Sequence, residues 1–287
     1  MTSNGSGRFS RRSFLRMAAL SAFGVGSGLG SAALFSAVVA PYKPVVEKVE
    51  VNIAGLPPGA PPLRIVQLSD IHIGPRFTVA DIRRGVDLAN TLKPDLVVLT
   101  GDFAYHDAGL VAGAAVELGR LDARLGRFAV LGNHDYWTDP RVVSEALLRN
   151  GIDLLTNSAT NVDTSTGLWL AGVDDVFSGR PDLQRALRPL PAGAPVVLLC
   201  HEPDFADNVP AKVGIQLSGH THGGQVNIPG FGRPVLPSFG LKYPEGLYQA
   251  SRTLVYVNRG LGVINPPIRI NCPPEVTLIT LHPSRAR

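Results

Sequence analysis

From residue 63 onward the chain repeats one arrangement three times: a short apolar run, a polar motif and a stretch with helical spacing. Leu63–Leu68 is apolar and short enough for a strand, and Asp70-Ile71-His72 follows it. Apolar positions between Thr78 and Leu92 recur at three- and four-residue intervals, which predicts a helix. Leu96–Leu99 predicts a second strand, followed by Gly101-Asp102, and Gly109–Leu125 predicts a second helix. Phe128–Leu131 predicts a third strand, followed by Gly132-Asn133-His134-Asp135, and Asp139–Arg149 a helix stopped by Asn150-Gly151. Asp70 precedes Asp102 by 32 residues and Asp102 precedes Asn133 by 31, which is the length of one strand–helix–strand unit. As parallel neighbours, the three strands would carry the three polar motifs to one sheet edge, where open α/β sheets bind ligands.

After Asp153 the pattern turns strand-rich. Leu168–Val173, Val196–Cys200, Gly214–Leu217, Gln225–Ile228, Thr253–Val257 and Val276–Leu281 predict strands, and Asp182–Leu187 alone reads as a helix. A second sheet packed on the first is the expected outcome. Pro229–Tyr248 is a long Pro- and Gly-rich loop with several aromatics, of the length that serves as a lid or substrate edge. Upstream, Glu47–Ile53 alternates charged and apolar residues as an exposed strand does, and Leu56–Pro62 is a break. The chain therefore divides into a leader over 1–40, a linker with a first strand over 41–62, and a main domain over 63–287.

Charge changes this picture only at the N-terminus. The formal net charge is +4, but Arg8, Arg11, Arg12 and Arg16 lie in a leader without acids. Taking those four from the 27 basic residues leaves 23, against 23 acidic ones, so the rest carries no bias toward nucleic acid and none is expected as a partner. Ser10-Arg11-Arg12-Ser13-Phe14-Leu15-Arg16 resembles a twin-arginine export signal, and no charge follows from Met17 through Tyr42. The twin-arginine translocation machinery is the partner this implies, and an extracytoplasmic, periplasmic-type location the destination. The same run is long enough to cross a bilayer, and Pro41 directly after Val38-Val39-Ala40 stands against cleavage, so membrane retention through residues 17–40 is the alternative. Two cysteines are too few for a disulfide framework; Cys200 ends an apolar run and should pack as a small hydrophobe rather than pair with Cys272.

Five of the seven histidines fall within motifs: His72, His134, His201, His220 and His222. Divalent Mn, Fe and Zn take mixed imidazole and oxygen donors. Asp70 and His72, two apart, would point the same way in an extended loop. Asp102 offers two oxygens to neighbouring ions, and Asn133 a neutral carbonyl oxygen. His201 follows an apolar strand, and Gly219-His220-Thr221-His222-Gly223 follows another. Singly these motifs are ordinary turns, caps or surface pairs. Together, each after a strand, they point to a metal centre.

The series Asp70-x-His72, Gly101-Asp102, Gly132-Asn133-His134-Asp135, His201 and Gly219-His220-x-His222 resembles the calcineurin-like metallophosphoesterase superfamily. Gly223-Gly224-Gln225, Gly172-Val173-Asp174-Asp175 and Arg259-Gly260-Leu261-Gly262 further resemble its bacterial branch of exported or membrane-associated members. The resemblance implies an α/β fold of four layers, two mixed β-sheets flanked by helices. It implies that Asp70, His72 and His222 hold one ion, that Asn133, His201 and His220 hold a second, and that Asp102 bridges. It places His134 at the leaving-group oxygen with Asp135 orienting its ring. The chemistry implied is hydrolysis of phosphodiesters or phosphomonoesters by a metal-bridging hydroxide between two divalent ions, Mn, Fe or Zn. A UDP-2,3-diacylglucosamine-type pyrophosphate hydrolase is the alternative enzyme. It would need an apolar groove, built from Phe231, Leu236, Phe239 and Leu241, and its substrate lies on the cytoplasmic side whereas the leader points outward. A non-catalytic metal-binding scaffold is the alternative outside enzymes, and the intact ligand set stands against it. Tyr105 matches the spacing of the iron-binding tyrosine of purple acid phosphatases, but those enzymes carry glycine where this chain has His72, so Tyr105 should be a packing or pocket residue. Asp174 and Asp175 read as a turn, and Lys242, Tyr243 and Arg269 as surface positions.

Overall fold

The computed structural model describes residues 43–284; the leader over 1–40 lies outside them. Sheet one has the order β1 (Val45–Ile53), β12 (Glu275–Pro283), β2 (Leu63–Leu68), β3 (Leu96–Thr100), β4 (Arg127–Val130), β5 (Asp153–Leu154). Sheet two has the order β10 (Gly246–Gln249), β11 (Leu254–Val257), β9 (Ile215–Ser218), β8 (Val196–Leu199), β7 (Leu168–Gly172), β6 (Ser158–Asp163). β2, β3 and β4 are parallel neighbours, as are β7, β8 and β9. The expected two mixed sheets are present. The strand expected upstream of Leu63 is β1, which pairs with β12 along its whole length.

The faces between the sheets are apolar: Ile65, Leu96 and Val98 from sheet one meet Val197, Leu199, Ile215 and Leu217 from sheet two. The other face of sheet one is covered by α1 (Val79–Thr91) and α2 (Val111–Leu118), with α4 (Pro140–Arg149) beside them. α1 buries Ile82, Val86 and Ala89, and each large side chain so buried contributes roughly 1.5–3 kcal/mol. Its start is set by Asp81, whose carboxylate accepts from the backbone N–H of Thr78 at 2.9 Å and from the Thr78 hydroxyl at 2.7 Å. Asp139 caps α4, accepting from the Arg141 N–H at 3.0 Å. α5 (Leu183–Leu187) packs on the outer face of sheet two and completes the fourth layer.

Three expectations are corrected. The helix expected over Gly109–Leu125 is a single 3-10 turn at Ala108–Leu110 followed by α2, which ends at Leu118. Gly119 lies against the end of α4, where a Cβ would stand 2.9 Å from the Asn150 carbonyl, and the Arg127 guanidinium then takes the carbonyls of Gly119 and Leu121 at 3.0 and 2.7 Å. Gln225–Ile228 is not a strand: Gln225 has φ 55°, and only isolated bridges join Val226 to Ile270 and Ile228 to Gly232. The loop expected to run to Tyr248 yields a strand at its end, β10. Cys200 and Cys272 are both free and buried. Among the described residues no helix is long and apolar enough to cross a membrane.

Candidate metal centre

Every ligand expected from the sequence stands beyond the C-terminal end of a parallel strand. Sheet one delivers Asp70 and His72 after β2, Asp102 after β3, and Asn133 as the first residue of α3 (Asn133–Thr138) after β4; sheet two delivers His201 after β8 and His220 and His222 after β9. The parallel pairing of both sets brings these loops to one mouth.

The loops are not extended. Asp70, His72, Asp102, His220 and His222 have φ of 51°, 46°, 58°, 72° and 52°, five left-handed non-glycine residues in one cluster. Such conformations cost on the order of 1–3 kcal/mol each and persist only where the surroundings impose them. This corrects the extended Asp70–His72 pair: Ile71 is buried in the core between them while both donors turn toward the site. Glycine permits the close approach this needs. At Gly219 a Cβ would lie 1.9 Å from the Ser69 hydroxyl and 2.3 Å from the Asp70 carboxylate. At Gly132 it would lie 2.4 Å from the Asp102 carboxylate.

The side chains form two groups joined through Asp102, and His134 stands with His72 and Asp102 between them. In the first, the His222 Nε2 is 3.3 Å from Asp70 Oδ1 and 2.9 Å from the His72 Nε2. In the second, Asp102, His201 and His220 converge. Asp102 Oδ2 lies between the groups, 3.4 Å from the His72 Nε2 and 3.2 Å from the His201 Nε2. All six side chains of the two groups are buried. Two of the outer ring nitrogens are already committed. His201 donates its Nδ1–H to the Thr100 carbonyl at 2.6 Å, and His220 its Nε2–H to the Ser238 carbonyl at 2.8 Å, which orients the other nitrogen of each ring inward. Asp70 accepts the His220 backbone N–H at 3.0 Å.

This arrangement fits divalent cations. Two imidazole Nε2 atoms face each other, so one ring must carry a proton there or both lone pairs must share a positive charge. Asn133 Oδ1 and the His201 Nε2 are buried without a hydrogen-bond partner, the state of donors awaiting an ion. Burial alone would raise the Asp70 and Asp102 carboxyls; the imidazoles beside them, His222 and His201 foremost, bring both below the ordinary range. Burial drives the His72 imidazole well down, which leaves it neutral and free to ligate. The nitrogen-rich donors with hard carboxylate and amide oxygens suit Mn, Fe or Zn.

His134 stands beside the expected ligands at the pocket. Its ring is edge-on to His72, with centroids 4.7 Å apart, and its Nδ1 is held by the Tyr105 carbonyl at 3.2 Å. Its backbone N–H donates to Asp102 Oδ1 at 2.8 Å. Asp135 does not orient the ring, contrary to the expectation. Its buried carboxylate accepts backbone N–H groups from Gly132 and Asp102 at 3.0 Å, from Phe103 at 2.9 Å and from Ala104 at 3.0 Å. It ties the β4 loop to the β3 loop. Burial, and then the Asp102 charge, push its carboxyl up to about 7 against those donors.

Tyr105 is a packing residue; its hydroxyl accepts the Asn265 backbone N–H at 3.1 Å. Asp174 accepts from the Arg180 N–H at 2.9 Å in a turn, and Asp175 is buried, its carboxyl raised to about 9 by burial and by Glu202. Lys242 and Tyr243 both reach Asp207. Arg269 is not a surface residue: it is 1% exposed and donates to the carbonyls of Arg259, Gly260, Gly262 and Cys272. It thereby braces the loop whose Leu261 and Gly262 N–H groups bond the Ser69 and Asp70 carbonyls at 2.8 Å.

A cavity of about 300 Å³ opens from Asn133, His134 and His220. Its apolar wall is made by Trp137, Phe177, Val235, Pro237, Ile264 and Ile268. Phe231, Leu236, Phe239 and Leu241 are not in that wall, which corrects the expected groove; Phe239 packs behind Phe177, with ring centroids 5.6 Å apart. Trp137 was discoverable from its place three residues after His134, one helical turn on. Phe177 carries no such signal.

The calcineurin-like phosphoesterase family model matches residues 63–224. An uncharacterized metallophosphoesterase, YkuE of Bacillus subtilis (strain 168), is 34% identical over 96% of this chain and 98% of its own length. The phosphodiesterase YaeI of Escherichia coli (strain K12) is 32% identical over 82% of this chain and 88% of its own. A transmembrane protein with metallophosphoesterase domain from Danio rerio is 36% identical over 87% of this chain, which spans 60% of that protein. With the ligand set assembled at the joint of two sheets, these matches identify the chain as a member of the calcineurin-like phosphoesterase family, a hydrolase of phosphoric esters.

Proposed function

We propose that the chain hydrolyses phosphodiesters or phosphomonoesters with a pair of divalent ions, Mn, Fe or Zn. The observation that carries this reading is the position of Asp102 Oδ2, 3.4 Å from the His72 Nε2 and 3.2 Å from the His201 Nε2, at the boundary of two ligand groups. Asp70, His72 and His222 would hold one ion, and Asn133, His201 and His220 the other, with Asp102 shared. Bound there, the ions would supply an activated water at neutral pH and positive charge against the phosphoryl oxygens. The remaining work falls to the protein. His134, with Nδ1 held by the Tyr105 carbonyl, presents Nε2 as the donor to the leaving oxygen. Its backbone N–H fixes the Asp102 carboxylate in place. The Escherichia coli relative YaeI, named a phosphodiesterase, supports diesters.

The apolar wall of Trp137, Phe177, Val235 and Ile268 favours a second reading, a substrate with an apolar substituent, which includes a lipid-linked pyrophosphate. A scaffold role has no such support, since every ligand and His134 is in place. The leader supports export through the twin-arginine machinery or membrane retention, and the Danio rerio relative, named a transmembrane protein, agrees with a membrane setting. The test is turnover of bis-p-nitrophenyl phosphate, p-nitrophenyl phosphate and a UDP-lipid analogue by metal-stripped protein refilled with Mn²⁺, Fe²⁺ or Zn²⁺. Metal-dependent turnover that collapses in His134→Ala is expected; metal-loaded protein inert toward all three substrates would contradict the reading.

A further inference from the structure

The chain enters its fold at the edge that carries the metal centre. β1 runs parallel to β12, and β12 runs antiparallel to β2. Val45, the first residue of β1, is therefore level with the last residues of β2: it pairs with Glu275, while Thr277 pairs with Gln67, three residues before Asp70. Glu275 in turn donates its N–H to the Gly260 carbonyl at 3.1 Å, in the loop that lies against Asp70. Two strand spacings, about 10 Å, separate the entry point from the Asp70 loop. Residues 41–44 reach at most about 14 Å when fully extended. Before them runs an uncharged stretch over 17–40, longer than the roughly 20 residues a bilayer core needs.

The same edge carries the main exposed apolar surface. Of the twelve large hydrophobic residues exposed among those described, Trp137, Phe177 and Val235 line the cavity, Phe239 packs on Phe177, and Phe231 and Leu241 belong to the same loop as Val235 and Phe239. Phe231 is 79% exposed, Leu241 64% and Trp137 56%. They come from three separate segments: α3, the turn after β7, and the loop between β9 and β10. Trp137, Phe177 and Phe239 form a continuous row, each ring 5.6 Å from the next. The others outside this edge, such as Val116 on α2 and Leu148 on α4, are scattered on helix surfaces. A contiguous apolar patch of this kind marks an interaction surface, and aromatic residues favour the membrane interface.

We propose that residues 17–40 remain in the bilayer and that the site edge faces that same bilayer, with Trp137, Phe177, Phe231, Phe239 and Leu241 set into its interface. The short tether holds this edge, rather than the opposite one, against the lipid. The cavity then opens toward the membrane surface, so a phosphoester with an apolar group reaches His134 along the row of aromatic rings. The docking does not depend on turnover, and its test reads no activity.

The test uses the full chain in phosphatidylcholine–phosphatidylglycerol liposomes with and without brominated acyl chains. The chain has two tryptophans, Trp137 at the site edge and Trp169 near the start of β7, at the far edge. Emission from Trp137 should be lost in brominated liposomes while that of Trp169 persists, and the quenching should vanish in Trp137→Phe. Phe231→Ser combined with Leu241→Ser should diminish it. The proposal is overturned if liposome-bound chain shows no lipid quenching, if quenching survives Trp137→Phe, or if the chain does not float with the liposomes. Trp137 shielded from both brominated lipid and aqueous acrylamide would assign the patch to a second copy of the chain, and would overturn it equally.

Discussion

The imidazole of His201 donates its Nδ1–H to the carbonyl of Thr100 at 2.6 Å, joining the end of β8 in one sheet to the end of β3 in the other. This bond fixes the tautomer of His201 and aims its Nε2 at Asp102 Oδ2. The centre is thus held by both sheets at once. His201→Gln should therefore keep the fold and lose metal affinity by more than about 100-fold, since even partners of ligands contribute 10–100-fold. Metal content after dialysis against a weak chelator checks this.

His134 should act on rate and not on metal content. Its ring lines the cavity edge-on to His72, and its backbone N–H donates to Asp102. His134→Ala leaves that N–H in place. We expect turnover to fall by about 10²–10⁴ with the metal content of the wild type, as for loss of a general acid. Steady-state kinetics alongside elemental analysis separate the two.

Asp135 should act on stability. Its carboxylate takes four backbone N–H groups, from Gly132, Asp102, Phe103 and Ala104. Asp135→Asn sets an amide N–H against those donors and should cost about 1–3 kcal/mol, read as a lower midpoint in denaturant. Metal-loaded variant should retain most of its turnover. Intact stability with collapsed turnover would restore the ring-orienting role.

Much of this was legible in the sequence because the strands are local and apolar and the ligands follow them at regular spacing. Leu63–Leu68, Leu96–Leu99 and Val196–Cys200 lie within a residue of the observed strands, and parallel pairing then brings their loops together. β6 was missed because Ser158–Asp163 is mostly polar, at the edge of its sheet. Gln225–Ile228 carries a strand-like pattern that the left-handed turn at Gln225 breaks. The roles of Asp135 and Arg269 depend on backbone groups far away in sequence, carbonyls and N–H groups that no residue type reveals. The left-handed turns at Asp70 and Asp102 lie against Gly219, Gly260 and Gly132, which is a tertiary effect.

Away from the site, Glu117 on α2 accepts from Arg83 of α1 and from Arg120, both at 2.6 Å. These bonds bring its carboxyl from 4.5 down to about 2. A depressed carboxyl stabilises the fold above its unfolded value, and that contribution disappears as pH falls from about 4.5 through about 2. Both arginines are half-exposed, so the pairs contribute about 1 kcal/mol. Glu117→Gln should lower the melting temperature by about 2–4 °C at neutral pH, and the gap should close toward pH 2. A gap that is the same at both ends would refute the linkage.

Metal removal should loosen the centre. Five strained residues and two buried carboxylates stand among imidazoles there, and bound cations would hold them together. Refilling stripped protein at 100 times the dissociation constant should add about 2.7 kcal/mol to stability. Thermal melts across a metal titration check this.

The most direct test of the dinuclear reading is electron paramagnetic resonance of stripped protein titrated with Mn²⁺. Asp102 between two ligand groups predicts two ions per chain and an exchange-coupled spectrum that Asp102→Asn uncouples. Saturation at one ion per chain, with the six-line spectrum of isolated Mn²⁺ throughout, would contradict it.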